Sequence, residues 1–560
     1  MRRATDRQTL FILDSSGSSN DTGHLWGHPE RGKLGALRPS YGGRVIARLG
    51  ARRTQQLTQE LVDVVAKPLA IHVHHAERKT SLYQETCLFP YFAYDGGLQR
   101  LGRLHATARQ GPCSQVGRTT PLYEKHRAVF LQDDGPHSND GIRPHVLHPC
   151  PMHPLRSPIV IPLKEDWREI LDRIARSRGW PAPQEPSRLG ALVAKLSKAY
   201  NAGDKGGMRS QDALAARLSF SFPRDVPKSA GAVRELVAAG ALTIPEERPL
   251  SVLDLGAGLG ASTWGVAMAL EASRPGARGR IDAVCVDDDE AALSLATEIA
   301  ESRRGQGNIE VRLNPIRASV SRLPRISDGP FDVVLLGQVL SELDATTEDR
   351  KLALSLRVLQ SAIDLAALDG SVVLVEPALR DRTRRLHALR DAILAASEGS
   401  LAVFAPCLHQ APCPARSNEE AWCHEDLDVD LPRWLVPVAS AAGLRWQGLT
   451  FSYLVLRRDG RTLRQERPAS SNLVRVVSEA IVTKGKREAF VCGDLDANGA
   501  RVADRARLMR LDRDASEANA AWEEASRGDT LEVVSPIDVG RPRIARDTLL
   551  RITTLARKRG

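Results

Sequence analysis

A regular alternation of apolar strand patterns and amphipathic helix patterns, running from Pro249 to about residue 458, constrains the fold of this chain most strongly. The strand patterns SVLDLG, RIDAVCVD and FDVVLLGQ are each followed by a helix pattern, and GLRWQGLTFSYLVLRR supplies the closing strands. Helices that link parallel strands cover both faces of the sheet, so such strands are apolar along their whole length. The pattern therefore predicts an α/β, Rossmann-like domain over residues 247–458.

The segments on either side of this domain have different patterns. Residues 155–246 contain three amphipathic helix patterns with basic faces, and we expect a helical domain there. Residues 459–560 contain short β-like runs between polar turns, which predict a small β-rich domain. Residues 1–154 hold most of the histidines but few sustained apolar periods. We expect this segment to be a disordered or non-native extension, with Met152 as an alternative start; metal binding by its histidines is the other interpretation.

The first strand pattern ends in a glycine-rich loop, Leu253 to Gly260. In open α/β sheets, ligands bind beyond the carboxyl ends of the strands, and Gly256, Gly258 and Gly260 would let the backbone approach a ligand closely. The spacing of these glycines fits a dinucleotide as well as S-adenosylmethionine. Asp254 favours S-adenosylmethionine, because a carboxylate here would face the cationic amino end of that cofactor and would repel a pyrophosphate. We therefore expect the class I S-adenosylmethionine methyltransferase form of the Rossmann-like fold.

Two further strand ends carry residues that suit the same pocket. Asp287 ends the second strand pattern, where it would accept hydrogen bonds from ribose hydroxyls, with capping of the next helix as the alternative. Gln338 ends the strand FDVVLLGQ and would line the side of the methyl acceptor. Glu342 would line the same side, but an ordinary role at a helix start is the favoured interpretation for it. The Asn/Asp-Pro-Pro-aromatic element that commonly holds a base amino group is absent here, and Cys285 has the apolar neighbours of a core residue. The pattern predicts the pocket and leaves the methyl acceptor unassigned.

Four cysteines form the second candidate site. Cys407, Cys413 and Cys423 follow the fifth strand and its helix with the spacing C-x5-C-x9-C, and Cys492 lies far downstream in FVCGD. The closely paired cysteine knuckles of zinc ribbons and fingers are absent from this stretch. Wider spacing beside prolines suits an iron–sulfur cubane, which thiolates approach from different directions.

The same cysteines leave a second metal as an alternative. Zinc bound by the cysteines together with His409 or His424 is that alternative. Three ligands come from an insertion at 404–430 and the fourth from the C-terminal domain, so we expect the bound group to clamp the two domains together. The C-x3-C-x2-C motif of radical S-adenosylmethionine enzymes is absent, which favours a structural role.

Several of these motifs together resemble those of one family. Over roughly residues 155–500, the chain is similar to the Rsm22 family. The similarity is carried by LDLGAGLG, GQVLSEL, LVEPALRDRTRRLHALRD and, above all, by APCLHQAPCP followed by WCH and FVCGD. Its members are methyltransferase-like assembly factors of the mitochondrial small ribosomal subunit, and their bacterial relatives. The resemblance implies S-adenosylmethionine at the glycine loop and a 4Fe–4S cluster on the four cysteines, Cys407, Cys413, Cys423 and Cys492.

The net charge of +10 suits a polyanionic partner, with a solvated basic surface as the alternative. We expect a methyltransferase of the small-subunit rRNA, with phosphate contacts from four arginines of the helical domain, Arg168, Arg173, Arg176 and Arg178. A non-catalytic rRNA-binding assembly factor and a dinucleotide-dependent redox enzyme are the alternatives. The sequence lacks an apolar run long enough for a transmembrane helix. We expect a monomer when free, in the bacterial cytoplasm or, in a eukaryote, the mitochondrion.

Overall fold

The computed structural model describes residues 160–554, except for 277, 344–345, 467–471, 495–502 and 535–541. The predictions made for residues 1–154, including the histidine clusters, lie outside the described residues. In the part of the chain that is described, no helix has the length and apolar character needed to cross a membrane.

A layer of helices precedes the main sheet. Its members are α1 (Glu165–Ser177), α2 (Pro186–Ala202), α3 (Lys205–Met208), α4 (Gln211–Ala216) and α5 (Phe222–Ala238). Helix α2 begins with a proline, whose fixed φ suits the first turn, and ends at Gly203 in the left-handed region. A π-helical turn, Arg217–Ser221, joins α4 directly to α5. The sequence pattern placed the start of α5 too late, because Pro223 and Pro227 lie within it and proline normally ends a helix.

The main sheet has the strand order β3-β2-β1-β4-β5-β8-β6, and β7 pairs with β8. Strands β1 to β5 are parallel, and β8 runs antiparallel between β5 and β6. The strands are β1 (Leu250–Leu255), β2 (Gly279–Asp287), β3 (Ile309–Arg317), β4 (Phe331–Gly337), β5 (Ala366–Glu376), β6 (Ala402–Ala405), β7 (Glu425–Leu427) and β8 (Leu449–Arg457). A dinucleotide-binding sheet has the order 3-2-1-4-5-6, and the inserted antiparallel strand marks the methyltransferase variant. The predicted fold class is confirmed.

Helices cover both faces of this sheet. They are α6 (Ala261–Ser273), α7 (Glu290–Arg303), α8 (Glu348–Leu365), α9 (Arg380–Ala396) and the short α10 (Val436–Ala441). Successive residues of β1 alternate between two apolar clusters: Leu250 and Val252 pack with residues of α5 and α6, while Leu253 and Leu255 pack with residues of α8 and α9. This alternation decides which way each side chain at the end of β1 points.

A second, largely antiparallel sheet follows, with the order β14-β12-β11-β9-β13-β15 and with β10 on β11. Its elements are β9 (Asn472–Val476), β10 (Ile481–Thr483), β11 (Lys486–Asp494), β12 (Ala503–Leu511), α11 (Ala521–Glu524), β13 (Thr530–Val533), β14 (Arg543–Ile544) and β15 (Leu550–Ile552). Val491, Leu508 and Trp522 are buried in its separate core. The register places Cys492 of β11 opposite Arg475 of β9 on one side and Arg505 of β12 on the other.

Candidate functional site

A pocket of about 880 Å³ lies at the carboxyl ends of the parallel strands and beneath the helical layer. Gly256 and Gly258 of the glycine loop, Asp287 at the end of β2 and Gln338 after β4 all line it. The helical layer contributes side chains to the same wall, among them Tyr200, Arg217, Asp225 and Lys228. The structure thus brings together four of the six residues that the sequence assigned to the cofactor.

The glycine loop turns sharply because its glycines adopt positive φ. Gly256 has φ 72°, and a Cβ there would lie 2.5 Å from Cγ2 of Val339, so a larger residue does not fit. Gly258 has φ 52°, and its Cβ would meet only Nη2 of Arg217, at 3.8 Å. Gly258 therefore presents bare backbone to the pocket, whereas Gly260 precedes α6 and does not line the pocket wall.

Asp287 organises the loop next to the pocket. Its carboxylate accepts hydrogen bonds from the backbone N–H of Gly258 at 2.8 Å and of Asp289 at 2.9 Å. Burial raises the pKa of Asp287. Asp289, and not Asp287, caps the next helix by accepting from the backbone N–H of Ala292. Asp289 also pairs with Arg217 at 3.0 Å, which holds the arginine of the helical layer over the glycine loop.

Asp254 lies behind the wall of the pocket. The alternation of β1 turns its side chain towards α6, where one carboxylate oxygen accepts from N–H and Oγ1–H of Thr263, at 3.2 and 2.8 Å. The other oxygen is buried without a hydrogen-bond partner among the described residues. Burial raises the pKa of Asp254 to about 6. Its predicted direct contact with a cofactor is therefore not seen in the wall of the pocket, and the carboxylate instead anchors the first turn of α6.

The turn after β4 has an unusual backbone. Gln338 adopts φ 61°, which is rare for a residue other than glycine, and its N–H donates to the carbonyl of Val375 at 2.6 Å. Beyond it, the N–H of Leu340 donates to the buried carboxylate of Glu376 at 2.9 Å. Burial raises the pKa of Glu376 to about 7 and also raises the pKa of Glu342, which lines the pocket. A strained backbone turn, the buried Glu376 and the exposed Glu342 thus border the side of the pocket that the sequence assigned to the methyl acceptor.

A second cavity, of about 50 Å³, is lined by all four predicted cysteines, Cys407, Cys413, Cys423 and Cys492. Three come from the segment between β6 and β7 and one from β11 of the second sheet. The Sγ of Cys492 also lies 3.5 Å from Nε2 of His409. Burial raises the pKa of Cys413 to about 12 and that of Cys423 to about 11. Among the described residues, no three ligand-type side chains are placed to hold one metal ion.

Helix α9 holds the segment between β6 and β7, here called the cysteine loop, by hydrogen bonds that the sequence did not reveal. Arg390 donates to the carbonyls of His409 and Ala411, and Asp391 accepts from the backbone N–H of Cys413 at 3.0 Å.

Nearly two turns earlier in α9, Arg384 donates to the carbonyls of Ala415, Asn418 and Ala421, in the stretch that leads to Cys423. His387 hydrogen-bonds the backbone of Cys423, and burial lowers its pKa to about 4. Arg384, His387 and Asp391 follow helical i, i+3, i+7 spacing. Polar side chains at this spacing lie on one face of a helix, so the sequence contained a pattern from which this face could have been predicted.

These features define a methyltransferase-like protein of class I fold with an added cysteine cavity. Residues 223–519 match the model of the family described as mitochondrial small ribosomal subunit Rsm22. The match spans more than half of the chain, so the chain belongs to this family, and the resemblance stated from its motifs is confirmed.

Solved structures are similar to the chain in part. Magnesium protoporphyrin IX methyltransferase from Synechocystis PCC 6803, with bound SAM, is 14% identical, covers 47% of this chain and 97% of its own, and has a TM-score of 0.26. The plantazolicin methyltransferase BpumL, in complex with SAH, is 11% identical, covers 49% of this chain and 99% of its own, and has a TM-score of 0.27. The ribosomal protein L11 methylase of Lactobacillus delbrueckii subsp. bulgaricus is 14% identical, covers 40% of this chain and 77% of its own, and has a TM-score of 0.21. At these TM-scores they add nothing to the assignment. No curated protein matches the chain.

Proposed function

We propose that this chain binds S-adenosylmethionine and an iron–sulfur cluster and acts on the rRNA of the small ribosomal subunit during ribosome assembly. The observation that carries the proposal is the single pocket wall made by the glycine loop, Asp287 and Gln338 at the carboxyl ends of three strands. Membership of a small-subunit family supplies the ribosomal context.

The residues of the pocket fit the adenosyl cofactor. Gly258 offers bare backbone, Asp287 offers a carboxylate for ribose hydroxyls, and Gln338 closes the side towards β4. Arg217 lies above the loop, where a guanidinium suits the carboxylate end of the cofactor. Bound S-adenosylmethionine would supply an electrophilic methyl group at this place.

A non-catalytic role is the second candidate. The turn from Gln338 to Leu343 reads Gln-Val-Leu-Ser-Glu-Leu and lacks the Asn/Asp-Pro-Pro-aromatic element that commonly holds a base amino group. A protein that binds cofactor and rRNA without methyl transfer would need only the pocket wall described above. Both candidates share the cofactor and the ribosomal partner, so the presence of a modified nucleotide separates them.

The cysteine cavity fits a cluster better than a single zinc ion. Four thiols line it, while no three ligand-type side chains of the described residues converge on one point. In a cubane each thiolate binds a separate iron, so the sulfurs stand further apart than around one ion. Because one cysteine comes from the second sheet, ligand binding would join that sheet to the Rossmann-like domain.

The arginines that line the pocket are better placed to contact rRNA phosphates than the arginines in and after α1. In the helical layer, Arg168 pairs with Glu165 and Arg178 pairs with Glu298, so two of the four arginines expected from the sequence already have carboxylate partners. Arg322 and Arg382 line the pocket instead. Cations there would bring a polyanion to the methyl donor, and such contacts position without specifying sequence.

Calorimetry tests the cofactor part of the proposal. We expect S-adenosylhomocysteine, and not NAD, to bind the wild-type chain, and we expect Gly258→Arg to abolish binding because the new side chain fills the pocket. Gly179→Arg is the matched control, since Gly179 also has a positive φ, of 67°, but a Cβ there would have nothing within 4 Å. Binding of NAD in place of S-adenosylhomocysteine would refute the assignment.

The methyl-transfer part needs a comparison of rRNA modification in cells that carry the wild-type chain or Gly258→Arg. Loss of one methylated nucleotide of the small subunit would establish transfer. An unchanged modification map together with a small-subunit assembly defect would establish the non-catalytic role.

A further inference from the structure

In the part of the chain that the structure describes, six arginines have a buried Nε without a hydrogen-bond partner, and two of them lie in the wall of the cysteine cavity. Arg390 and Arg475 are 2% and 4% exposed, and both line the cavity. In each, the Nε is buried and has no hydrogen-bond partner among the residues that the structure describes. Buried donors usually find an acceptor, and at this cavity one bound group would supply an acceptor for both N–H groups.

The remaining nitrogens of both arginines are fixed by the protein. In Arg390, Nη1 donates to the carbonyl of Ala411 at 2.9 Å and Nη2 to that of His409 at 2.8 Å. In Arg475, Nη1 donates to the carbonyl of Gly528 at 2.9 Å and Nη2 to Oε1 of Glu235 at 2.7 Å. Both Nη atoms of each guanidinium group are therefore held by the protein, while the Nε–H has no acceptor among the described residues.

The fold directs these groups towards the cysteines. Cys492 stands opposite Arg475 in the antiparallel register of β11 and β9, and residues directly opposite each other project from the same face of a sheet. Arg390 reaches the cavity from α9 and binds the carbonyls of the loop between Cys407 and Cys413. One donor thus adjoins the ligand from the second sheet, and the other adjoins the ligands from the Rossmann-like domain.

We propose that Nε–H of Arg390 and Nε–H of Arg475 donate hydrogen bonds to the sulfur atoms of the iron–sulfur cluster in this cavity. The inference rests on the cluster of the proposed function and assigns two residues that set its electronic properties. Hydrogen bonds to sulfur favour the more negatively charged, reduced state and raise the reduction potential. Arg475 also pairs with Glu235 of α5. The first turns of α5 line the cofactor pocket, so one helix contacts both the pocket and Arg475.

The test uses full-length protein purified without oxygen, as wild type, Arg390→Lys, Arg475→Lys and the control Arg416→Lys. Lysine keeps the positive charge and lacks Nε. Arg416 binds Asp391 beside the same loop but does not line the cavity. We expect iron and sulfide in all four proteins. The equilibrium constant for one-electron reduction should fall about tenfold in each of the first two variants, a shift of about 59 mV to lower potential, with no shift in the control.

Equal potentials in all four proteins would overturn the inference while leaving the cluster in place. A colourless wild-type protein that contains zinc would overturn both the inference and the cluster. If either lysine variant fails to fold, wild-type protein grown on arginine labelled with heavy nitrogen decides the matter. Pulsed electron paramagnetic resonance of its reduced form should then show coupling to arginine nitrogen, and no coupling would refute the hydrogen bonds.

Discussion

Glu376 links the stability of the turn after β4 to pH. It ends β5, is 3% exposed, and accepts the backbone N–H of Leu340 at 2.9 Å. Burial raises its pKa from 4.5 to about 7. Replacement by glutamine keeps an oxygen that can accept from Leu340 but removes the ionisation, so Glu376→Gln isolates the effect of the buried charge.

The sign and size of the effect follow from the two pKa values. Because the pKa of Glu376 is higher in the folded chain, the folded state holds the proton more tightly between pH 4.5 and about 7. This contribution to stability is fully present below pH 4.5 and is lost as the pH rises through about 7. At 1.36 kcal/mol per pKa unit, the loss is about 3 kcal/mol. Glutamine avoids that loss, so the variant should gain about 3 kcal/mol on wild type over this interval.

Urea unfolding at several pH values from 4.5 to 8 measures the free energy of unfolding of both proteins. Glu348→Gln is the control: Arg385 lowers the pKa of the exposed Glu348 below 4.5, so the difference between this variant and wild type should stay nearly constant over the measured pH range. A difference between Glu376→Gln and wild type that stays constant with pH would refute the reasoning.

Three further outcomes are expected. Glu425 pairs with the buried Arg234 at 2.5 Å, so Glu425→Ala leaves a buried charge unpaired and should lower the free energy of unfolding by about 3–5 kcal/mol. The double variant Glu425→Leu, Arg234→Met should restore most of that loss, and equal stabilities of the single and double variants would contradict this. Arg217→Met should weaken S-adenosylhomocysteine binding about tenfold or more in calorimetry, and unchanged affinity would exclude Arg217 from the site. Arg384→Ala removes hydrogen bonds to three loop carbonyls and should lower the iron content per chain; full iron content would show that the cysteine loop needs no support from α9.

The main sheet was predictable because its strands are buried on both faces and therefore read as apolar runs. Val333, Leu335 and Val373 pack against one layer while Val334 and Leu374 pack against the other, so each strand shows unbroken hydrophobicity. The start of α5 was not predictable from the same kind of pattern. It follows a π-helical turn and contains two buried prolines, neither of which an apolar period reports.

The candidate sites divide in a similar way. The glycines, Asp287 and the four cysteines are recognisable because spacing along the chain reports a loop or a ligand set. The direction of the Asp254 side chain was not predictable, since it depends on the alternation within β1 and on Thr263 of the next helix. Arg475 and Glu235 lie 240 residues apart, so their buried pair follows from tertiary packing that no local pattern reports.

The central claim is that four thiols from two distant segments hold one cluster, and the iron and sulfide content of anaerobically purified protein tests it most directly. We expect about four iron and four sulfide per chain in the wild type, a clear loss in Cys492→Ser, and no change in Cys285→Ser, whose cysteine is buried within β2. Wild-type protein with one zinc and no sulfide, or an equal content in both serine variants, would contradict the claim.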